Sequence, residues 1–575
     1  MKTGIVFATL AAASFWTSTA VAANLSEWRR DIEAIVREIE STHPNPFTKT
    51  GELTWRRDAA ALTAELPMLG EEERLVGLMK LVAKLGDGHT GIVPESARYS
   101  LWYPFRLYEF SDGFFVTSAH KSQTDLAGAE VLAIGGKPVD AVVNEARSLF
   151  GADNFFDAKE RLFAVHNAFL MKGLGFAQAD GALSVTFRLR GGNDVTRKLK
   201  ARQADEIRLP SDTPIFDWDY LPEVYGMPFG SHEDWFSAMD GLPAKAFAEL
   251  DTSRPPVHQQ KTAGTKRALP EQDAYYVQIS YTTDSTMGGL MSQALSDVDA
   301  LKPRRFIIDI RYNIGGDGST LTNMIHGFIS REENPPWKEL YVITGRKTFS
   351  AGVMAIDAFL DHTEATFVGE PAGAALNSYG DAVSRPYPAL GLSLSVSTLR
   401  HQLSESNDLS KYTRIDVPAL MSFENYVAGG DPALDPILAG EEMRSIPAIA
   451  RTAGGGAARR AHLDRAARFG DRDWFKPPSE LAFRNVIDEL TAQERYEDAI
   501  ETAKLTTEIH PHLWNAWYGL AKVEEAAGRE KASFASYQCV LELDPNNYNA
   551  PEILELFSKR RVKPKPAPGC PAGGR

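Results

Sequence analysis

Phe306-Ile307-Ile308-Asp309-Ile310-Arg311-Tyr312-Asn313-Ile314-Gly315-Gly316 is the stretch from which the architecture is built outward. A continuous apolar run with a single acid is too apolar for a strand with one wet face. It reads as a parallel strand buried on both sides. The paired glycines that follow form a strained turn, or expose backbone N–H groups at the sheet's C-terminal edge, where sites of α/β proteins form. Downstream, Leu321 to Ile329 has helical spacing, Leu340 to Ile343 is a second strand, and Ala351 to Leu360 is helical. Thr366-Phe367-Val368 and Leu392 to Val396 add further strands. Such alternation implies an α/β layer fold, with its core over residues 271–440.

Within this core, Thr348-Phe349-Ser350-Ala351-Gly352 lies between a strand and a helix. A serine there sits at a helix N-terminus, where free N–H groups and the helix dipole favour negative charge. The small residues after it let a substrate backbone approach, and the Ala351 N–H is a donor for an oxyanion. Gly315 or Gly316 is the candidate second donor. Serine is also a favoured N-cap, so the local pattern alone leaves a capping role open. A serine nucleophile needs a base, and Gly86-Asp87-Gly88-His89-Thr90-Gly91 supplies a histidine in a glycine-flanked loop. Neutral imidazole is the usual base near neutral pH.

Upstream of the core, residues 1–22 read as a signal peptide, with Lys2, an apolar run from Ile5 to Trp16, and the small-residue site Ala20-Val21-Ala22. The mature chain is expected to be periplasmic or secreted. Residues 23–98 read as a helical domain, with Trp28, Ile32, Ile35, Val36 and Ile39 at helical spacing. Residues 99–204 have strand-like patterning, and Gly128 to Val139 resembles the core hairpin of a PDZ module, which binds an extended peptide by strand addition; a purely structural β-barrel is the alternative. Residues 205–270 lack periodicity and read as an irregular insertion.

Residues 441–477, with Gly454-Gly455-Gly456, read as a linker. Over 478–560 two helix pairs repeat, with Pro511 and Pro545 at the tetratricopeptide period of about 34 residues. Residues 561–575 read as a disordered tail. The two cysteines, Cys539 and Cys570, can pair if the chain is exported, or remain a buried thiol and a free one.

The net charge of -14 argues against a nucleic-acid partner. No later segment is apolar enough to span a membrane, and no His-Glu-x-x-His string or phosphate loop occurs, so no cofactor is expected.

Together the Asn313-Ile314-Gly315-Gly316 turn, the serine motif at 348–352, Val368-Gly369-Glu370-Pro371 and Thr413 to Pro418 resemble the tail-specific (C-terminal processing) serine peptidases over about residues 25 to 440. The resemblance implies a crotonase-like core and hydrolysis of a peptide or protein substrate, with Ser350 as nucleophile. A lysine of the Ser-Lys dyad is absent, because its position is filled by Ala375. Lys347 precedes the nucleophile and is a weak substitute. The Gly-Asp-Gly-His-Thr string resembles the tricorn and retinoid-binding-repeat branch, which makes His89 the base. By that resemblance an acid orients it, and spacing after the nucleophile points to Asp408, with Glu405 as the alternative. The competing readings are a non-catalytic ligand-binding protein on this fold, and a scaffold that recruits a protein partner through its repeats.

Overall fold

The computed structural model describes residues 23–94, 99, 101–203, 235–238, 263–441, 443–561, 563 and 565–571. The signal peptide expected over 1–22 and most of the 205–270 insertion lie outside these residues.

The core is a six-stranded sheet in the order Gly264–Leu269, Ala274–Ile279, Arg305–Asp309, Glu339–Thr344, Thr366–Gly369, Val417–Pro418. Ile308 lies between Val277 and Val342 in parallel register, while Gly264 faces Ile279 in an antiparallel pair. The alternation of the quoted strand explains why it is apolar throughout. Phe306 and Ile308 enter one core, beneath the helices Met291–Leu301, Thr322–Ile329 and Ala351–His362. Ile307 enters another, with Leu434 and Ile437. All three are fully buried, each contributing about 1.5–3 kcal/mol. Two expectations change here. The edge strand Gly264–Leu269 arises inside the stretch read as irregular, because its backbone pairs despite polar side chains such as Lys266 and Arg267. Leu392–Val396 does not join the central sheet; it lies between Gly91–Pro94 and Val383–Tyr387 in a separate sheet.

The first helix, Leu25–Thr42, opens on a capping box in which Asn24 Oδ1 accepts from Glu27 N and the Glu27 carboxylate accepts from Asn24 N. Trp28, Ile32, Ile35 and Ile39 bury its apolar stripe. The β-rich region contains a seven-stranded sheet. Its hairpin Glu130–Ile134 to Lys137–Pro138 turns at Gly135 and Gly136, with φ of 58° and 76°. Two left-handed residues in succession are what a two-residue hairpin turn requires. The region is not all strand, however. Val139–Arg147, Phe155–Glu160, Phe163–His166 and Ala168–Gly173 are helical, and Val139, Val142, Val143 and Ala146 bury one helical face. From the insertion, Trp235–Ser237 pairs antiparallel with Gly113–His120.

The expected linker is two helices, Ile446–Ala453 and Gly455–Phe469, with Gly454 (φ 83°) at the joint. The glycine run that reads as flexible makes only this bend. Alanines and arginines then continue the helix, and Ala458 packs into the C-terminal core. The helix pairs Glu480–Ala492 with Tyr496–Ile509 and Trp514–Ala526 with Glu530–Leu543 complete that core, before the last helix Ala550–Arg560. This region docks on the body: Arg451 pairs with Glu364, Arg465 donates to Asp416 O, and Tyr412 Oη donates to Asp473. Cys539 and Cys570 form a disulfide, and Ala567 N donates to Ala535 O. The described part of the tail is therefore tied down rather than disordered.

At the C-terminal end of Arg305–Asp309, the Arg311 guanidinium bonds Asp309 Oδ1 at 3.0 Å and Asp431 Oδ1 at 2.9 Å. Tyr276 Oη donates to Asp309 Oδ2 at 2.9 Å. Asp309 and Asp431 are 0% and 2% exposed, so their charges need this partner. Arg311→Ala is expected to lower unfolding stability by about 3–5 kcal/mol in denaturant titration, by leaving both carboxylates uncompensated. A loss below about 1 kcal/mol would contradict this role.

Candidate active site

Ser350 closes the turn between Glu339–Thr344 and Ala351–His362, with φ 50° and ψ −126°. A non-glycine residue held there costs roughly 1–3 kcal/mol, so the surroundings must impose it. They do so through backbone. Phe349 N donates to Asn313 O at 2.9 Å, Thr348 Oγ1 donates to Ile310 O at 2.8 Å, and Gly373 N donates to Thr348 O at 2.9 Å. The turn is thus sewn to the loop after Arg305–Asp309. The Ser350 hydroxyl makes no capping bond, so the capping role left open by the sequence is not the one it plays. Gly352 N and Val353 N turn back to Phe349 O and Ser350 O. The Ala351 N–H has no acceptor among the described residues.

Gly315 lies against this serine. A Cβ on Gly315 would stand 2.6 Å from Ser350 Cβ and 3.1 Å from both Ser350 Oγ and Ala351 N, and its φ is 112°. Neither space nor backbone admits a side chain. The Gly315 N–H itself donates to Asn313 Oδ1 at 2.9 Å. Gly316, with φ 134° and held where a Cβ would meet Thr282 O, keeps an N–H with no acceptor among the described residues. Of the two glycines proposed as donors, Gly316 therefore has the uncommitted one. Asn313, which the sequence presents as part of the turn motif without a role of its own, anchors both sides: its Oδ1 also accepts from Thr282 Oγ1.

His89 is delivered by a different part of the chain. It lies two residues before the strand Gly91–Pro94, in which Gly91 faces Ser395, and Ser395 Oγ donates to His89 O at 2.8 Å. The imidazole stacks on Phe349, with centroids 4.4 Å apart and planes at 26°. The structure thus brings the His89 ring onto the residue directly before Ser350. Burial pushes the His89 pKa below its ordinary value. Asp87 opposes that shift, while Arg161 and His401 reinforce it. A neutral imidazole at pH 7 is suited to accept a proton. Its Nδ1 is sealed from solvent with no hydrogen-bond partner.

The acids expected after the nucleophile are not joined to this ring. Asp408 Oδ2 accepts from Ser404 Oγ and its Oδ1 from Ser410 N, while Glu405 is exposed. Both belong to a locally closed loop, which spacing along the chain does not reveal. Lys347 is buried away from solvent, with Nζ 5.9 Å from the Tyr312 ring and its charge facing Glu160. Ala375 is buried as well. Around His89 lies instead a set of acids that sequence reasoning missed: Asp87, Asp153 and Asp157. Gly88 N donates to Asp153 Oδ1 at 2.8 Å, and Arg161 binds both Asp157 Oδ1 and Gly88 O. Their spacing just before and well after His89 gave no sign that they converge. Among the described residues no group of three or more His, Cys, Asp or Glu is arranged to hold a metal ion, and no helix is long and apolar enough to cross a membrane.

No family model matches the chain, and no curated protein sequence matches it. Among solved structures, it is similar to mature CPAF complexed with lactacystin, at 13% identity and TM-score 0.47, over 71% of this chain and 96% of that one. It is similar to a photosystem II D1 C-terminal processing protease, at 14% identity and TM-score 0.33, over 69% of this chain and 94% of that one. It is also similar to the tricorn protease, at 12% identity and TM-score 0.30, over 72% of this chain and 36% of that one. At these values the likeness assigns no residue a role.

Asp153 carries a measurable consequence. Burial, with Asp87 and Asp157 nearby, pushes its pKa up to about 8, and its Oδ2 has no hydrogen-bond partner. Its folded-state value lies above the unfolded one, so its contribution to stability is complete below about pH 4 and is lost as pH rises towards 8. Asp153→Asn keeps an acceptor for Gly88 N and removes the ionisable group. Its melting temperature relative to the parent is expected to rise progressively from pH 4 to pH 8. A difference independent of pH would contradict the shift.

Proposed function

We propose that this chain is an exported serine peptidase of the tail-specific (C-terminal processing) type, with Ser350 as nucleophile and His89 as base. The observation that carries this reading is the strained Ser350: a hydroxyl at a helix N-terminus, free of capping duty, packed against Gly315 and next to the residue on which an imidazole stacks. Strain of this kind persists where the surroundings hold it for use.

In the proposed reaction, the Ser350 Oγ–C bond forms as the hydroxyl proton passes to His89, generating an imidazolium and a tetrahedral oxyanion. The N–H groups of Ala351 and Gly316 receive the oxyanion, where fixed donors lower the barrier without reorganising. The imidazolium returns its proton to the leaving amine as the C–N bond breaks. Water, deprotonated by His89, then releases the acyl group from Ser350. The β-rich region, read as PDZ-like, would offer an edge for an extended peptide. The C-terminal helix pairs, read as tetratricopeptide repeats, would serve a protein partner.

A fluorophosphonate probe is expected to label the full chain at Ser350, located by peptide mass spectrometry, and to leave Ser350→Ala unlabelled. Cleavage of a casein or peptide substrate should fall at least about 10³-fold in Ser350→Ala, with an unchanged melting temperature. Undiminished cleavage by that variant would overturn the assignment. Absence of labelling together with absence of cleavage in the parent chain would favour a ligand-binding protein.

A further inference from the structure

We propose that Asp87 is the positioning residue for His89, fixing its backbone and supplying the buried negative charge that steadies its imidazolium, in the place the sequence gives to Asp408 or Glu405. The inference rests on the peptidase reading for its consequence in catalysis, but the charge relation itself does not.

Asp87 is 2% exposed and fully engaged. Its Oδ1 accepts the His89 backbone N–H at 2.9 Å. Its Oδ2 accepts from Ser397 Oγ at 2.6 Å, from His43 Nε2 at 3.1 Å, and from Thr90 Oγ1. The direction of the His43 bond is set by its other nitrogen. Asn45 N donates to His43 Nδ1, so Nδ1 is an acceptor and Nε2 carries the proton. A carboxylate receiving four donors is held as an anion. These donors come from three distant parts of the chain, so the loop bearing His89 is tied at once to the N-terminal helical region and to the segment after Leu392–Val396.

This matters because His89 lacks an ordinary carboxylate partner. Its Nδ1 is sealed and unpartnered, so no acid orients the ring by a direct bond. An imidazolium formed during acylation must then be stabilised through space, and a buried charge is poorly screened. The charged and titratable groups facing His89 are Asp87, Asp381, Arg161 and His401. Asp381 is more than half exposed and is bound to His401. Arg161 opposes an imidazolium, but its own charge is paired with Asp157. Around the same loop, Asp153 takes the Gly88 N–H, Asp157 is paired with Arg161, His43 bonds Asp87 itself, and Lys49 bonds the Gly86 carbonyl. Asp87 is therefore the buried anion that acts on His89 from its own loop, and its influence on the ring opposes that of burial.

The test is the titration of His89 by NMR, in the full chain with histidine labelled at Cε1 and with Ser350→Ala to prevent self-cleavage. Asp87→Asn is expected to lower the His89 pKa by about one unit. Asp87→Glu, which disturbs packing but keeps the charge, is expected to leave it closer to the parent value. An Asp87→Asn shift that is absent or upward, or an equal downward shift in both variants, would overturn the proposal. Should Asp87→Asn fail to fold, Ser397→Ala decides. It removes a donor that partly neutralises the carboxylate, so the His89 pKa should rise or hold, and a fall would refute the charge role. With the parent serine in place, the acid limb of kcat/KM should move downward with the NMR value. A parent chain that hydrolyses nothing would sink the peptidase reading and leave the titration to judge Asp87 alone.

Discussion

The arrangement depends on one backbone clamp. Asn313 O accepts the Phe349 N–H, and its side chain accepts the Gly315 N–H, so the loop after one parallel strand is fastened to the turn after the next. With both loops fixed, Ser350 has no room to relax out of its left-handed conformation, and Gly315 stands where a side chain would strike the serine. The strain is paid for by a sheet whose central residues are sealed on both faces and by the buried Arg311 between Asp309 and Asp431. Packing energy gathered across the core is thereby concentrated on one hydroxyl.

The second half of the site comes from outside that core. A short strand, Gly91–Pro94, pairs with Leu392–Val396 and carries the Asp87–His89 loop to the serine turn. A stack on Phe349 holds the imidazole, a bond from Ser395 holds the His89 carbonyl, and Asp87 ties the loop through the His89 N–H. Here Arg161 pairs with Asp157, while Asp87 is held by hydrogen-bond donors and Asp153 is crowded by both acids, which makes the local pKa values sensitive to single substitutions.

Much of this was legible in the sequence. The parallel strand at 305–309 follows from an unbroken apolar run, since only burial on two faces asks for one. The turn glycines and the serine before a helix follow from local rules of backbone freedom and helix termini. The helix Gly455–Phe469 was missed because three glycines outweighed the alanine-rich segment after them, although only Gly454 makes the bend. The helices between Val139 and Gly173 were missed because short helices separated by bends give a weak period. What spacing could not provide was convergence. Asp408 lies at a suggestive distance along the chain after Ser350, yet its bonds are to Ser404 and Ser410, and the acids beside His89 come from its own loop and from residues 153 and 157. Contacts between distant segments are set by topology, which no local pattern encodes.

A crystal structure of the chain with a peptide boronic acid would test the central claim most directly, because boron forms a tetrahedral adduct resembling the proposed intermediate. The expected result is a bond from Ser350 Oγ to boron, one boronate oxygen within hydrogen-bond distance of the Ala351 and Gly316 N–H groups, and the His89 ring beside the other. An adduct on a different residue, or one on Ser350 whose oxygens point away from those donors and from His89, would contradict it.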